Sequence, residues 1–177
     1  MCRFSSVLIV AAVSVSPAAA QPAPSPSPVS QAIRSAWDGA KHNITASADL
    51  MPEAGYTFKP VETVRTFGQI LAHIAGANYV FCAPAKGEKS PHAEDEFEKG
   101  ATTKADIVKA LNESLAYCDA AYAALDDKTA GEMIGTEREA RVAPLLGNIG
   151  HLNQHYGNLV TYFRVKGMVP PSSAPRP

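Results

Sequence analysis

Two histidines near the end of the chain have the spacing of metal ligands. His151 and His155 stand four positions apart in a segment with helical periodicity, so their side chains project from one face, one turn apart. Two imidazoles placed in this way can bind one divalent metal ion, and a third protein ligand would leave an open position of the catalytic type. The same spacing also fits a surface or core histidine pair whose ring nitrogens are satisfied by hydrogen bonds.

Three other histidines are candidates for the third ligand. His73 lies in a predicted helix beside small residues such as Gly76, which leave room for close approach. His92 falls in a charged loop and His42 on the polar side of the first helix, so both are expected to be solvated. Cys82 follows His73 by nine residues, half a turn around the helix and ~13 Å along it, too far to share an ion. The sequence therefore favours His73, although a single histidine on such a face is more often a satisfied core residue.

A polar stripe runs beside the apolar stripe of the last helix. It comprises Asn148, His151, His155, Asn158 and Tyr162, whose three- and four-residue steps allow it to face the protein interior. Polar side chains in a helical core are costly unless they are paired or bind a ligand. We predict that Asn148 and Asn158 orient ligands or donate hydrogen bonds around the site, with ordinary polar packing as the equal alternative.

Other catalytic motifs are absent from the sequence. Leu152 follows His151, whereas zincin proteases have a glutamate general base at that position. The sequence has no G-x-S-x-G elbow, P-loop or C-x-x-C-H haem site. No carboxylate lies on the predicted ligand faces, so the site is expected to lack a protein general base.

Four segments with helical periodicity must position these residues. Thr66 and Gln69 form a capping-box pattern at the start of the second, and Gly167 is typical of a helix end. The predicted helices cover about residues 29–50, 66–84, 102–125 and 143–166. Without predicted strands, this pattern favours an all-α fold, a four-helix bundle with long crossover loops, at least one of which can set two successive helices parallel.

The two ends of the chain differ from its middle. Residues 1–20 resemble a secretory signal peptide, with Arg3 before a short apolar run and three alanines at the end. That run is too short to span a bilayer, so we expect cleavage and export to the periplasm or beyond, with no membrane attachment afterwards. Residues 21–28 are a predicted Pro/Ser linker and 170–177 a flexible tail, so the folded domain is expected to cover 29–169.

Composition narrows the function further. The 177 residues are 46% hydrophobic and 19% charged, with a net charge of −1, as in an ordinary globular domain. Nucleic-acid binding is disfavoured because the chain lacks clustered Lys and Arg.

Cys82 and Cys118 remain after cleavage of the leader, and in an exported protein they can form a disulfide. Two buried free thiols are the alternative.

The combined motifs resemble the DinB-like (DNA-damage-inducible) four-helix metalloprotein family. The resemblance is carried by LAHIAGAN, by MPEAGYTFKP with VRTFGQ, and by HLNQHYGNLVTYFRVKG, and it covers about residues 30–172. The family is related to bacillithiol transferase-like and mycothiol-dependent enzymes. Membership implies a divalent ion, zinc or nickel, held by His73, His151 and His155. It also implies a homodimer as a common state, and Asn158 stands where relatives often have Gln.

Two functions are compatible with this sequence. One is an exported metal-dependent enzyme that acts on a small molecule, as a thiol transferase or a small hydrolase. The alternative is a non-catalytic metal- or ligand-binding bundle, and a metal-free structural bundle is a third reading. Export weakens the thiol transferase, because cytosolic thiol cofactors are scarce outside the inner membrane.

Overall fold

The computed structural model describes residues 28–136 and 138–174. The helices are α1 (Pro28–Leu50), α2 (Phe67–Lys86), α3 (Glu96–Gly100), α4 (Lys104–Ala124) and α5 (Val142–Val165). Two short 3₁₀ helices cover Glu53–Gly55 and Pro171–Ser173, and a two-stranded antiparallel pair joins β1 (Met133–Ile134) to β2 (Glu139–Ala140). The predicted all-α fold class is confirmed, with the four predicted segments forming the four long helices.

Local sequence signals set the ends of the long helices. Thr66 and Gln69 form the reciprocal capping box, since each side chain accepts a hydrogen bond from the backbone N–H of the other residue. Helix α2 continues beyond Pro84 to Gly87, whose φ of 75° suits a residue without a β-carbon. Gly167 ends α5 in the same left-handed conformation, with φ of 71°. The observed ends of these helices lie within about two residues of those predicted from the sequence.

The directions of the helices follow from their contacts. A β-carbon on Gly68 would approach Ile107 near the starts of α2 and α4, and Cys82 meets Cys118 near their ends, so these two helices are parallel. Helix α5 runs the opposite way along α2, because Phe163 near its end packs on the first turn of α2. Helix α1 packs against α4 and α5, which makes it the fourth member of the bundle.

The crossover between α2 and α4 runs back along the bundle because these helices are parallel. It covers residues 87–103 and includes α3, so one connection does set two successive helices parallel, as expected. The backbone carbonyl of Glu94 passes so close to Gly76 that a β-carbon there would overlap it. The glycine thus lets the crossover lie against α2 one turn after His73.

Aromatic rings pack in the core of the bundle near both of its ends. Trp37 of α1 stacks on Tyr122 of α4, with ring centroids 4.3 Å apart. The indole nitrogen donates to Asp119 at 2.8 Å and the Tyr122 hydroxyl to the Leu145 carbonyl at 2.7 Å. The stacked rings and the hydrogen bonds of the indole N–H and the hydroxyl fix the packing of α1, α4 and α5.

None of the helices in the described part of the chain combines the length and apolar character that crossing a bilayer requires.

Three features correct or limit the sequence expectations. The short helix α3 and the two-residue strands were not predicted, because elements of this length leave no periodic pattern. The tail predicted from residue 170 includes a 3₁₀ turn, in which the backbone N–H of Ser172 donates to the Tyr156 hydroxyl at 2.8 Å. The predicted signal peptide (1–20), almost all of the linker (21–28) and the last three residues of the tail lie outside the described residues.

Candidate metal centre

The structure brings His73, His151 and His155 together between α2 and α5. A ring nitrogen from each lies within 4.8 Å of the other two. The Nε2 of His151 is 3.1 Å from the Nε2 of His73 and 3.1 Å from that of His155. Three nitrogens held at ~2.0–2.1 Å around a tetrahedral ion are about 3.3 Å apart. The observed spacings are therefore those of a ligand set, and no other group of three such residues was found in the described ranges.

Hydrogen bonding alone does not account for this convergence. A neutral imidazole nitrogen carries either one proton or one lone pair in the ring plane. The Nε2 of His151 faces two other Nε2 atoms at 3.1 Å, so it cannot make a well-directed hydrogen bond to both. One divalent ion would take a lone pair from each of the three rings, and the residues present fit such an ion.

Asn158 holds one of the three rings from behind. Its Oδ1 lies 3.2 Å from the Nδ1 of His155, one turn further along α5. The carbonyl oxygen can only accept, so this contact places the ring proton on Nδ1 and leaves the Nε2 lone pair facing the other histidines. Asn158 is thus located where the sequence predicts a residue that orients a ligand.

Asn148 contacts the sulfurs of Cys82 and Cys118, which agrees with the polar packing given as the equal alternative for this residue. Its side chain is fully buried, and its Nδ2 lies 3.4 Å from the Sγ of Cys82 and 3.5 Å from that of Cys118. The residue belongs to the polar stripe of α5 but lies one turn before His151, where α5 packs against Cys118 of α4. The structure joins Cys82 and Cys118 in a buried disulfide between α2 and α4.

The electrostatics of the site keep the three rings neutral. Burial lowers the pKa of His73 and of His155 below the ordinary value of 6.5. Burial, together with the two neighbouring histidines and Arg65, lowers the pKa of His151 to about 4. Because a neutral imidazole is the form that binds metal, all three rings are ready to act as ligands at neutral pH.

Two carboxylates reach the site from the crossover, and the sequence did not predict them. Oε1 of Glu94 lies 3.8 Å from the Nε2 of His73, and Oε2 of Glu98 lies 3.8 Å from its Nδ1. The Nε of Arg65 pairs with both oxygens of Glu98, at 3.0 and 3.2 Å. The structure thus places carboxylates beside a site for which the sequence predicts none. The prediction considered only the helix faces, whereas these groups come from the acidic stretch that folds back over α2.

The other two histidines stay away from this centre. His42 is exposed on α1. His92 lies near the surface, where its Nδ1 is 2.9 Å from Glu96 and its ring packs on Tyr79 with centroids 4.5 Å apart. These contacts hold the crossover on α2 near Glu94, and neither histidine is a metal ligand in this arrangement.

An open cleft of about 790 Å³ adjoins the histidines. Its walls combine charged, amide and hydroxyl groups with a few apolar side chains. Residues that line it include Glu62, Arg65, Glu98, His155, Asn158 and Tyr162. A small molecule in this cleft would lie beside the ring of His155.

The sequence model of the DinB superfamily matches residues 36–159, about 70% of the chain. The chain belongs to the DinB superfamily. Two solved structures have a similar fold. A conserved protein of Enterococcus faecalis superimposes with a TM-score of 0.61 at 15% identity, over 77% of this chain and 96% of its own. A DinB-like protein of Bacillus cereus gives 0.62 at 16% identity, over 80% and 95%.

A search of curated proteins found no match to this DinB-superfamily chain. At such low identity the two solved structures support the fold alone, so the chemistry of this member must be argued from its own residues. Those residues are the histidines of α2 and α5, the carboxylates of the crossover and the adjoining cleft.

Proposed function

We propose that this protein is an exported, metal-dependent hydrolase of a small molecule, with zinc or nickel bound by His73, His151 and His155. The observation that carries the proposal is the convergence of three Nε2 atoms next to a carboxylate and an open cleft. When bound, a divalent ion at three neutral imidazoles acts as a Lewis acid and lowers the pKa of a ligand in its open position.

The chain's own residues supply the remaining functions of a hydrolase. Glu94 can accept a proton at Oε1, which lies 3.8 Å from the Nε2 of His73 on a side chain that is 57% exposed. Asn158 keeps His155 in the tautomer that binds metal. The cleft beside His155 would hold the substrate while the apolar core behind the histidines excludes water.

Hydrolysis is favoured over thiol transfer by the expected location of the protein. The leader-like residues 1–20 support export, and the disulfide between Cys82 and Cys118 suits an oxidising compartment. Low-molecular-weight thiols would be scarce there as cosubstrates. Hydrolysis needs only water as the second substrate, and Glu94 provides an acceptor for a proton of that water.

The test uses the mature chain, residues 21–177, loaded with zinc or with nickel. Turnover is measured on a panel of small esters, amides and phosphoesters with chromogenic leaving groups, and on an electrophile with an added thiol. We expect hydrolysis that is lost on chelation, restored by the metal and absent from H155A. Glu94→Gln should lower kcat with the metal content unchanged, and Glu113→Gln, on an equally exposed carboxylate of α4 outside this cleft, should not.

The results separate this proposal from its alternatives. Metal-dependent turnover only with the thiol would favour a transferase. A loaded protein that binds one ion and turns over nothing in the panel would be a non-catalytic metal-binding bundle. Glu94→Gln with unchanged kcat would remove Glu94 from the mechanism and leave the metal site in place.

A further inference from the structure

The three candidate ligands differ in the partner of their Nδ1 atom, which lies on the side of each ring away from the proposed metal. The Nδ1 of His155 faces the Oδ1 of Asn158 at 3.2 Å. The Nδ1 of His151 is buried and has no hydrogen-bond partner within the part of the chain that the structure describes. The Nδ1 of His73 faces Oε2 of Glu98 at 3.8 Å. Two of the three rings therefore have an acceptor on the side opposite the proposed metal, and only His73 has a charged one.

We propose that Glu98 is a positioning residue, whose carboxylate orients His73 so that its Nε2 points at the metal. The inference rests on the metal site of the proposed function. Metal binding at Nε2 leaves the ring proton on Nδ1, and metal-bound histidines almost always donate that proton to a carboxylate, a carbonyl or water. The 3.8 Å separation is longer than a hydrogen bond, and the proposal is that this contact shortens when the ion is bound.

Arg65 is the ion-pair partner of the same carboxylate. Its Nε contacts both oxygens of Glu98, and the Glu98 side chain is only 20% exposed. The backbone carbonyl of Arg65 in turn accepts a hydrogen bond from the Tyr162 hydroxyl of α5, at 2.6 Å. Glu98 thus contacts Arg65 through both oxygens, and its Oε2 also faces His73 on α2.

An alternative role for Glu98 is a surface ion pair that merely fastens the crossover. The two roles make opposite predictions for Arg65. If the pair is only a fastener, removing either partner has the same effect. If Glu98 positions His73, removing Arg65 leaves the carboxylate in the site and also removes a positive charge near the ion, so metal binding is not weakened.

The experiment measures the zinc affinity of the mature chain by competition with a chromogenic chelator at pH 7.5. We expect Glu98→Ala to weaken zinc binding by about 10- to 100-fold, the usual cost of losing a partner of a ligating histidine. Glu98→Gln keeps an acceptor and should recover most of that loss. Arg65→Met should bind zinc at least as tightly as the wild type. Glu62→Ala, on the same cleft with a side chain that is 90% exposed, is the matched control and should be unchanged.

The outcomes separate this inference from the proposed function. Equal zinc affinities for Glu98→Ala and Glu62→Ala would overturn the role of Glu98 while leaving the three-histidine site intact. A loss in Arg65→Met as large as that in Glu98→Ala would show a fastening ion pair and would also overturn it. A wild-type chain that binds no zinc would remove the metal site itself, and the role of Glu98 with it. Thermal unfolding of each metal-free variant checks that the fold is retained.

Discussion

Two polar clusters lie close together within the bundle and have opposite surroundings. The disulfide cluster consists of Cys82, Cys118 and Asn148, and the histidine cluster of His73, His151 and His155. Both use α2 and α5, and on α5 they are three residues apart. The disulfide cluster is fully buried beneath α4, whereas the histidine cluster meets an open cleft and the acidic crossover.

Two positions on α5, one in or beside each cluster, differ in their exposure to the cleft and not in the type of residue. Asn148 and Asn158 are both asparagines on the polar stripe of α5. One contacts the sulfurs of the disulfide in the core, and the other holds a ring that faces the cleft. We infer that the disulfide cluster stabilises the bundle and that the histidine cluster binds the ion.

Loss of a ligand should produce the largest effect on metal binding. His73→Ala removes one of the three converging nitrogens, so zinc affinity should fall by more than the roughly 100-fold upper cost of losing a partner around a ligand. His42→Ala, on an exposed histidine of α1, is the control and should bind like the wild type. Isothermal titration would contradict the account if both variants kept wild-type affinity.

Loss of the disulfide should affect stability instead. Replacing Cys82 and Cys118 together by Ala opens a link across 36 positions of sequence, which should lower the free energy of unfolding by about 2–4 kcal/mol. Zinc affinity should be retained because the sulfurs do not contact the rings. Reductant should lower the Tm of the wild type and leave that of the double variant unchanged. No shift in the wild type would argue against a bridge.

The glycine beneath the crossover offers a test of how the histidine cluster is covered. Gly76→Ala should cost about 1–3 kcal/mol of stability, because its β-carbon would overlap the Glu94 carbonyl and displace the crossover. Gly150→Ala is the matched change in α5, where a β-carbon meets nothing within 4 Å. It should gain about 0.5–1 kcal/mol from helix propensity. Urea unfolding would contradict the close approach if both changes were stabilising.

The two asparagines test the comparison most selectively. Asn158→Ala should weaken zinc binding by about tenfold, because the Nδ1 of His155 loses its acceptor. Asn148→Ala should leave zinc affinity unchanged, since its contacts are to the disulfide. The reverse pattern in the chelator competition would place Asn148 at the metal site after all.

The smallest expected effect is that of pH on the metal-free protein. The pKa values of the three clustered histidines lie below 6.5, with that of His151 at about 4. The unfolded chain therefore takes up protons first, and stability should fall as the pH drops from about 6.5 towards 4. The change between pH 7 and pH 5 should be on the order of 1 kcal/mol.

Urea unfolding at pH 7 and pH 5 measures this slope. A variant with Ala at all three positions should lose that part of the slope, and saturating zinc should flatten it between these pH values because the bound rings do not take up protons. An unchanged slope in the triple variant would show that other groups cause the pH dependence.

The sequence was sufficient for the elements with strong periodic or capping signals. The long helices, the capping box at Thr66 and Gln69, and the stop at Gly167 follow from local rules. The i, i+4 spacing of His151 and His155 fixed their common face. Those parts of the fold and site could therefore be predicted with no knowledge of tertiary contacts.

The rest depends on how the long connection folds back. Glu94 and Glu98 lie 21 and 25 positions after His73, and no periodic pattern relates a loop to a helix face. Only the parallel arrangement of α2 and α4 brings the acidic stretch over the histidines. The sequence left two roles open for Asn148 for the same reason, because the helical wheel gives a direction around α5 but not which neighbouring helix covers it.

The central claim is that three imidazole nitrogens bind one ion, and anomalous diffraction from zinc-loaded crystals tests it most directly. The account predicts one peak per chain at the zinc edge, about 2.0–2.1 Å from the Nε2 atoms of His73, His151 and His155. A peak elsewhere, or rings that stay in mutual contact with no peak between them after loading, would contradict it.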